Sequence, residues 1–214
     1  MTMQAEISRG AGGSSAPRLI ALLGYARCGK DTVADLLSEA GFQRAAFADP
    51  IYNVVTGLNP IVKVEPSAGL RYRLRPHRRL ADVVGRHGWD WLKDHSPEGR
   101  RLLNAIGAEI RNIDNEFWVS ATMGSLSPER SYVVTDCRFP AEAEAIKARG
   151  GVLVRITRPG IAAASDPLTG LPYRSEIALD GYAVDYDLTN DRTLDELGQA
   201  TLRVLGNIRA NASA

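Results

Sequence analysis

A chain of 214 residues, 44% hydrophobic and 24% charged, is long enough to bury one substantial α/β core. Its 26 basic and 25 acidic residues leave a net charge of +1, so no global field argues for nucleic acid or an anionic membrane as partner. Two cysteines give no disulfide framework and point to a reducing compartment, expected to be the cytoplasm. No stretch approaches the roughly 20 apolar residues of a membrane span.

Residues 1–17 carry GAGGSSAP at 10–17 and lack both the basic start and the apolar core of a secretion signal, so they read as a flexible tail. A single domain is expected over 18–214. It opens on a buried-type strand, Leu19 to Leu23, followed by a glycine loop that ends in Lys30. Val33, Leu36, Leu37 and Ala40 then fall at helical spacing, i, i+3, i+4 and i+7. A strand, a glycine loop and a helix in that order are the context of a phosphate-binding loop. Gly24 and Gly29 let the backbone wrap an anion, the helix start adds positive potential, and Lys30 reaches the outer phosphates of a nucleoside triphosphate. The pattern G-x-x-x-x-G-K is complete over 24–30, but Asp31 stands where a magnesium-binding Ser or Thr is common, with Thr32 one position later. Both readings of the metal contact stay open.

Phe42 to Phe47 reads as a second strand running into Asp49-Pro50, which opens a helix through Ile51 to Thr56. Asp49 either caps that helix or accepts a hydrogen bond from a sugar or base. From Asn59 to His77 periodicity is lost. Arg71, Arg73 and Arg75 alternate there, with Arg78 and Arg79 following. They read as a solvated edge, as a funnel for a phosphorylated substrate, or, third, as a contact for double-stranded nucleic acid. Trp89 to His95 is an aromatic packing segment. Ser96 and Pro97 are the cap and first turn of a helix over Pro97–Ile113, with Leu103, Ile106, Ile110 and Ile113 inward. Its Arg100, Arg101, Asn104 and Arg111 face water or phosphates across a cleft. Residues 115–123 continue as a helix with Phe117 and Trp118 in the core.

Ser131 to Thr135 is the next strand, ending in Asp136-Cys137-Arg138. Ligands of open parallel sheets bind beyond the carboxyl ends of strands. Asp136 there could hold magnesium or orient an acceptor, and Arg138 could neutralise a transferring phosphoryl group. The structural alternative has Asp136 capping the next turn and Arg138 paired with Glu142. A helix over 140–149 carries Ala143 and Ile146 inward and stops at Gly150-Gly151. Val152 to Thr157 is another strand. Residues 161–174, rich in Ala, Gly, Pro and Ser, read as a lid or binding loop, with a lid span of about 158–176. Asp185 to Thr189 makes the last strand, and Thr193 caps a helix with Leu194, Leu197, Val204 and Ile208 inward.

The alternation predicts an α/β, three-layer P-loop kinase fold, with a central parallel sheet of about five strands flanked by helices. Along nearly the whole chain the sequence also resembles the bacteriophage deoxynucleoside monophosphate kinases. The resemblance rests on GYARCGKDT at 24–32, FADP at 47–50, LLNAIGAEIR at 102–111 and DCRFPAEAEAI at 136–146. It continues through ITRPG to residue 160, SEIALD at 175–180 and YDLTNDRTLDEL at 186–197. The resemblance implies transfer of the γ-phosphoryl of ATP to a deoxynucleoside monophosphate, with Mg2+, and leaves a homodimer open. It implies ATP contacts from Gly24, Ala26, Arg27, Cys28, Gly29, Lys30, Asp31 and Thr32. Arg158 and Asn190 would lie near the adenine. It implies a monophosphate site bordered by Asp49, Arg101, Arg111, Trp118 and Arg138, and Arg174 swinging in with the lid. Lys30, Asp136 and Arg138 are the implied catalytic residues, and Asp31, Thr32 or Asp136 the metal contacts. Tyr173-Arg174 departs from the family pattern, where a histidine precedes the Ser-Glu pair.

Two other readings remain. A small-metabolite kinase similar to dephospho-coenzyme A kinase would keep the ATP loop but accept on a sugar hydroxyl, with Asp136 as base. A nucleotide-binding regulatory or nucleic-acid-binding protein would use the arginines of 71–79 and bind DNA with a steep salt dependence.

Overall fold

The computed structural model describes residues 19–64, 77–165 and 169–211. The tail and the alternating Arg71, Arg73 and Arg75 lie outside the described residues.

Strand β1 (Leu19–Leu23) is buried at every position and runs through the middle of a five-stranded sheet. With β2 (Gln43–Ala45), β5 (Tyr132–Val134), β6 (Val152–Thr157) and β7 (Tyr186–Thr189), the order is β2-β5-β1-β6-β7, with every pairing parallel. Because side chains alternate across a strand, β1 serves two cores at once. Ile20 and Leu22 meet Val33 and Leu37 of α1 (Lys30–Glu39), and Leu197, Leu205 and Ile208 of α8 (Leu194–Asn211). Leu19, Ala21 and Leu23 meet Val119 and Met123 of α5 (Phe117–Ser125), and Ala143 and Ile146 of α6 (Pro140–Ala148). The result is the expected three-layer α/β arrangement.

A smaller third core lies outside these layers. It joins Val55 of α2 (Asp49–Leu58), Val62 of β3 (Ile61–Lys63), Leu80, Val83 and Leu92 of α3 (Leu80–His95), and Leu103 of α4 (Pro97–Ile113). Strand β3 pairs antiparallel with β4 (His77–Arg79), a hairpin that the sequence pattern did not announce. Helix α3 begins well before the aromatic segment and kinks at Gly88, whose φ of 84° is non-helical. Within it Trp89 stacks on Tyr52 of α2 at 4.4 Å, the packing role expected of that segment.

The expected caps are present: the Gly99 N–H donates to Ser96 Oγ at 3.0 Å, and the Glu196 N–H to Thr193 Oγ1 at 3.3 Å. Three inward assignments are corrected. Ile113 is 86% exposed, Phe117 41% and Leu194 67%, because each stands at a helix end beyond the reach of the neighbouring layer.

Candidate active site

The loop between β1 and α1 is shaped by close approach. A Cβ on Gly24, where φ is +134°, would stand 2.2 Å from the Ile156 carbonyl oxygen of β6. One on Gly29, at φ +111°, would stand 2.5 Å from Asn190 Nδ2. Between them Arg27 is exposed and takes a left-handed φ of 65°. Cys28 is buried beneath the loop. Lys30 turns into the loop, its Nζ donating to Gly24 O at 2.8 Å and Tyr25 O at 2.7 Å. Burial holds its pKa below the ordinary lysine value.

Asn190, expected near an adenine, ties the loop down. Its Nδ2 donates to Cys28 O at 2.9 Å and its backbone N–H to Thr157 O at 2.7 Å. Arg158 lines a cavity of about 340 Å³ that also touches Gly24, Tyr25, Glu176 and Asp180. So Arg158 and the loop border one space, while the Asn190 side chain is committed to the loop backbone.

Asp136 stands at the end of β5, next to β1 in the sheet. Its Oδ1 accepts the Phe47 N–H at 2.7 Å and its Oδ2 the Ala48 N–H at 3.0 Å. It therefore fixes the turn into α2 rather than capping the turn that follows it. Burial raises its pKa, against those two hydrogen bonds. Two residues on, the Arg138 backbone N–H donates to Glu142 Oε2 at 2.6 Å, while its guanidinium pairs with Glu176 of α7 (Arg174–Ile177). The expected Arg138–Glu142 pairing is thus made by backbone, and the side chain goes elsewhere. Glu142 is 4% exposed and also accepts the Phe139 N–H. Burial pushes its carboxyl up to about 7.

The residues expected at a monophosphate site divide. Arg111 lies over the Phe139 ring at 4.4 Å and so borders the Asp136–Arg138 turn. Arg101 and Arg174 are exposed. Asp49 is exposed and accepts the Ala46 N–H at 2.8 Å, closing the turn before its helix. Trp118 is a correction: it is 2% exposed, with its indole N–H donated to Gly107 O at 3.0 Å, which is the core role. Arg100 is likewise occupied, by Lys93 O and Asp94. Asp31 turns outward to Arg44 at 2.7 Å. Among the described residues, no three His, Cys, Asp or Glu side chains converge as a metal cluster.

Sequence reasoning missed Glu176 as a site residue. Its Oε2 accepts the Ala26 N–H of the loop at 2.8 Å, while its other oxygen meets Arg138. The signal available was SEIALD, a short helix-forming run directly after the lid segment. A glutamate there could not be told from a solvated helix residue.

No family model matches the chain. It is 28% identical over 196 residues to a protein of Acanthamoeba polyphaga mimivirus inferred to be a deoxynucleotide monophosphate kinase, covering 88% of this chain and 96% of the relative. It is 34% identical over 139 residues to the deoxynucleotide monophosphate kinase of Enterobacteria phage T4, covering 59% of this chain and 52% of that one. The chain is a relative of the viral deoxynucleotide monophosphate kinases. The resemblance read from the sequence motifs is borne out, and the chain is an enzyme of the kinase class. Among solved structures, the dephospho-CoA kinase of Campylobacter jejuni aligns over 92% of this chain and 100% of its own, at 15% identity and a TM-score of 0.45. Among the described residues, no helix of this kinase relative is long and apolar enough to cross a membrane.

Proposed function

We propose that the chain transfers the γ-phosphoryl group of ATP to the phosphate of a deoxynucleoside monophosphate, yielding ADP and a deoxynucleoside diphosphate for DNA synthesis. One observation carries this reading: the loop with buried Lys30 follows β1, and Asp136 and Arg138 follow β5, its hydrogen-bonded neighbour. Two phosphate-bearing molecules bound over adjacent strand ends would meet between them. The names of the mimivirus and T4 relatives support the choice of acceptor.

The chemistry asks little of a base. The acceptor is an ionised phosphate oxygen that attacks the γ-phosphorus as the bond to the ADP oxygen breaks. The barrier is repulsion between two polyanions, lowered by positioning and fixed positive charge. The loop amides and Lys30 hold the donor. Arg138 lies beside the transferring group, with Arg111 bordering the acceptor. Magnesium fits the donor set: the Thr32 hydroxyl in the first turn of α1, with the lone pairs that Asp136 keeps beyond its two backbone bonds. Such an ion takes one or two protein oxygens and completes its shell with phosphate and water. Bound there, it would neutralise charge on the donor phosphates. Asp31, held by Arg44, stands outside this set.

The test is ADP formation from ATP and magnesium with each of the four deoxynucleoside monophosphates, beside a Lys30→Ala control. Turnover that requires a monophosphate and collapses in the control is the expected result. No turnover with any monophosphate, while ATP still binds, would overturn the reading in favour of a kinase acting on a sugar hydroxyl.

A further inference from the structure

The segment from Arg174 to Asp180 lies across the phosphate loop and touches it twice. Glu176 accepts the Ala26 N–H at 2.8 Å, and Asp180 accepts the Tyr25 hydroxyl at 3.0 and 3.1 Å on its two oxygens. The Glu176 side chain is only 5% exposed. Its second carboxylate oxygen meets the guanidinium of Arg138. A carboxylate thus sits where the loop would present an amide to a phosphate oxygen, and it also neutralises the arginine beside the transfer site. Lys30 is satisfied by the loop carbonyls.

We propose that Glu176 is a built-in anionic competitor for the phosphates of ATP, and that its displacement releases Arg138 for the reaction. The inference rests on the reading of the loop as an ATP site. Two anions cannot share the Ala26 N–H without strong repulsion at that distance, so a seated triphosphate expels the carboxylate. The ordering has a catalytic use. Arg138 becomes available only once the donor is bound, so the arginine and the phosphates it serves come into place together.

The experiment is equilibrium binding of ATP, inorganic tripolyphosphate and adenosine to the wild-type chain, Glu176→Gln and Glu176→Ala. Glu176 belongs to none of the three apolar cores, so both variants keep them. Removing the competing charge should tighten ATP and tripolyphosphate about tenfold, a change of one decade in Kd. Adenosine binding should stay unchanged. Equal or weaker ATP binding in both variants would overturn the proposal, and would mark Glu176 as a residue that merely positions Arg138. Equal tightening of adenosine would overturn it too, since the gain would then come from an opened cavity. If neither wild type nor variants bind ATP, the ATP reading itself fails. If only the variants bind, the competitor is stronger than supposed and the proposal stands.

Discussion

Gly24 approaches Ile156 so closely that a Cβ on it would overlap the Ile156 carbonyl oxygen at 2.2 Å, with a left-handed φ of +134° besides. The obstacle is backbone of a central strand, which cannot swing aside. Gly24→Ala is therefore expected to destabilise the fold by about 2 kcal/mol or more, from steric overlap and backbone strain together. The urea midpoint should fall with the slope unchanged, and ATP binding should be lost along with it. A midpoint equal to the wild type's would contradict the packing described for the loop.

That contact explains why the centre of this fold was legible in the sequence while its periphery was not. The β1–loop–α1 unit carries its own signals: an apolar run, two glycines with steric duties, and a stripe at helical spacing. The α4 boundaries were equally plain, since Ser96 caps and Pro97 opens the helix. The β3–β4 hairpin was hidden because each strand has three residues and closes only on a core shared with α2, α3 and α4. The site was legible residue by residue but not in its pairings. Arg138 and Glu176 are 38 positions apart, and no local pattern joins them. For Trp118 the helical pattern placed the side chain in the core while the resemblance set it beside the monophosphate, and its burial with the indole bond to Gly107 O favours the core.

Lys30 is the loop's one buried ammonium, and its two partners are carbonyl oxygens of the loop itself. Lys30→Ala should lower monophosphate-dependent turnover on the order of 10³-fold, the scale of a lost charge at developing negative charge. The variant should still fold, because α1 and its packing on β1 remain. Steady-state kinetics beside a far-UV melt separates the two effects. Retention of more than about a tenth of wild-type turnover would remove Lys30 from the machinery.

Asp136 uses one oxygen for each of two backbone donors, Phe47 and Ala48. An asparagine offers one acceptor and turns an NH2 toward the other donor. Asp136→Asn should therefore cost about 1–3 kcal/mol in chemical denaturation. Its turnover should fall less than that of Lys30→Ala, because an ionised phosphate acceptor needs no base. A larger catalytic loss than Lys30→Ala shows, unrestored by excess magnesium, would point to a hydroxyl acceptor.

Glu142 makes stability depend on pH in a defined direction. Burial raises its carboxyl to about 7 from 4.5, against the N–H groups of Arg138 and Phe139 that favour the charged form. A carboxyl raised by folding is protonated in the native state where the unfolded chain has already ionised. Its contribution is present below the unfolded value and is lost as pH rises through about 7. Asp136, also raised by burial, acts in the same direction. Glu142→Gln removes the Glu142 part alone. Relative to wild type, the variant should gain stability between about pH 5 and about pH 8, by at most roughly 3 kcal/mol. Urea denaturation of both proteins across that range reads the difference. A gap that stays constant with pH would mean that Glu142 is ionised throughout, held by its two backbone donors more strongly than burial opposes it.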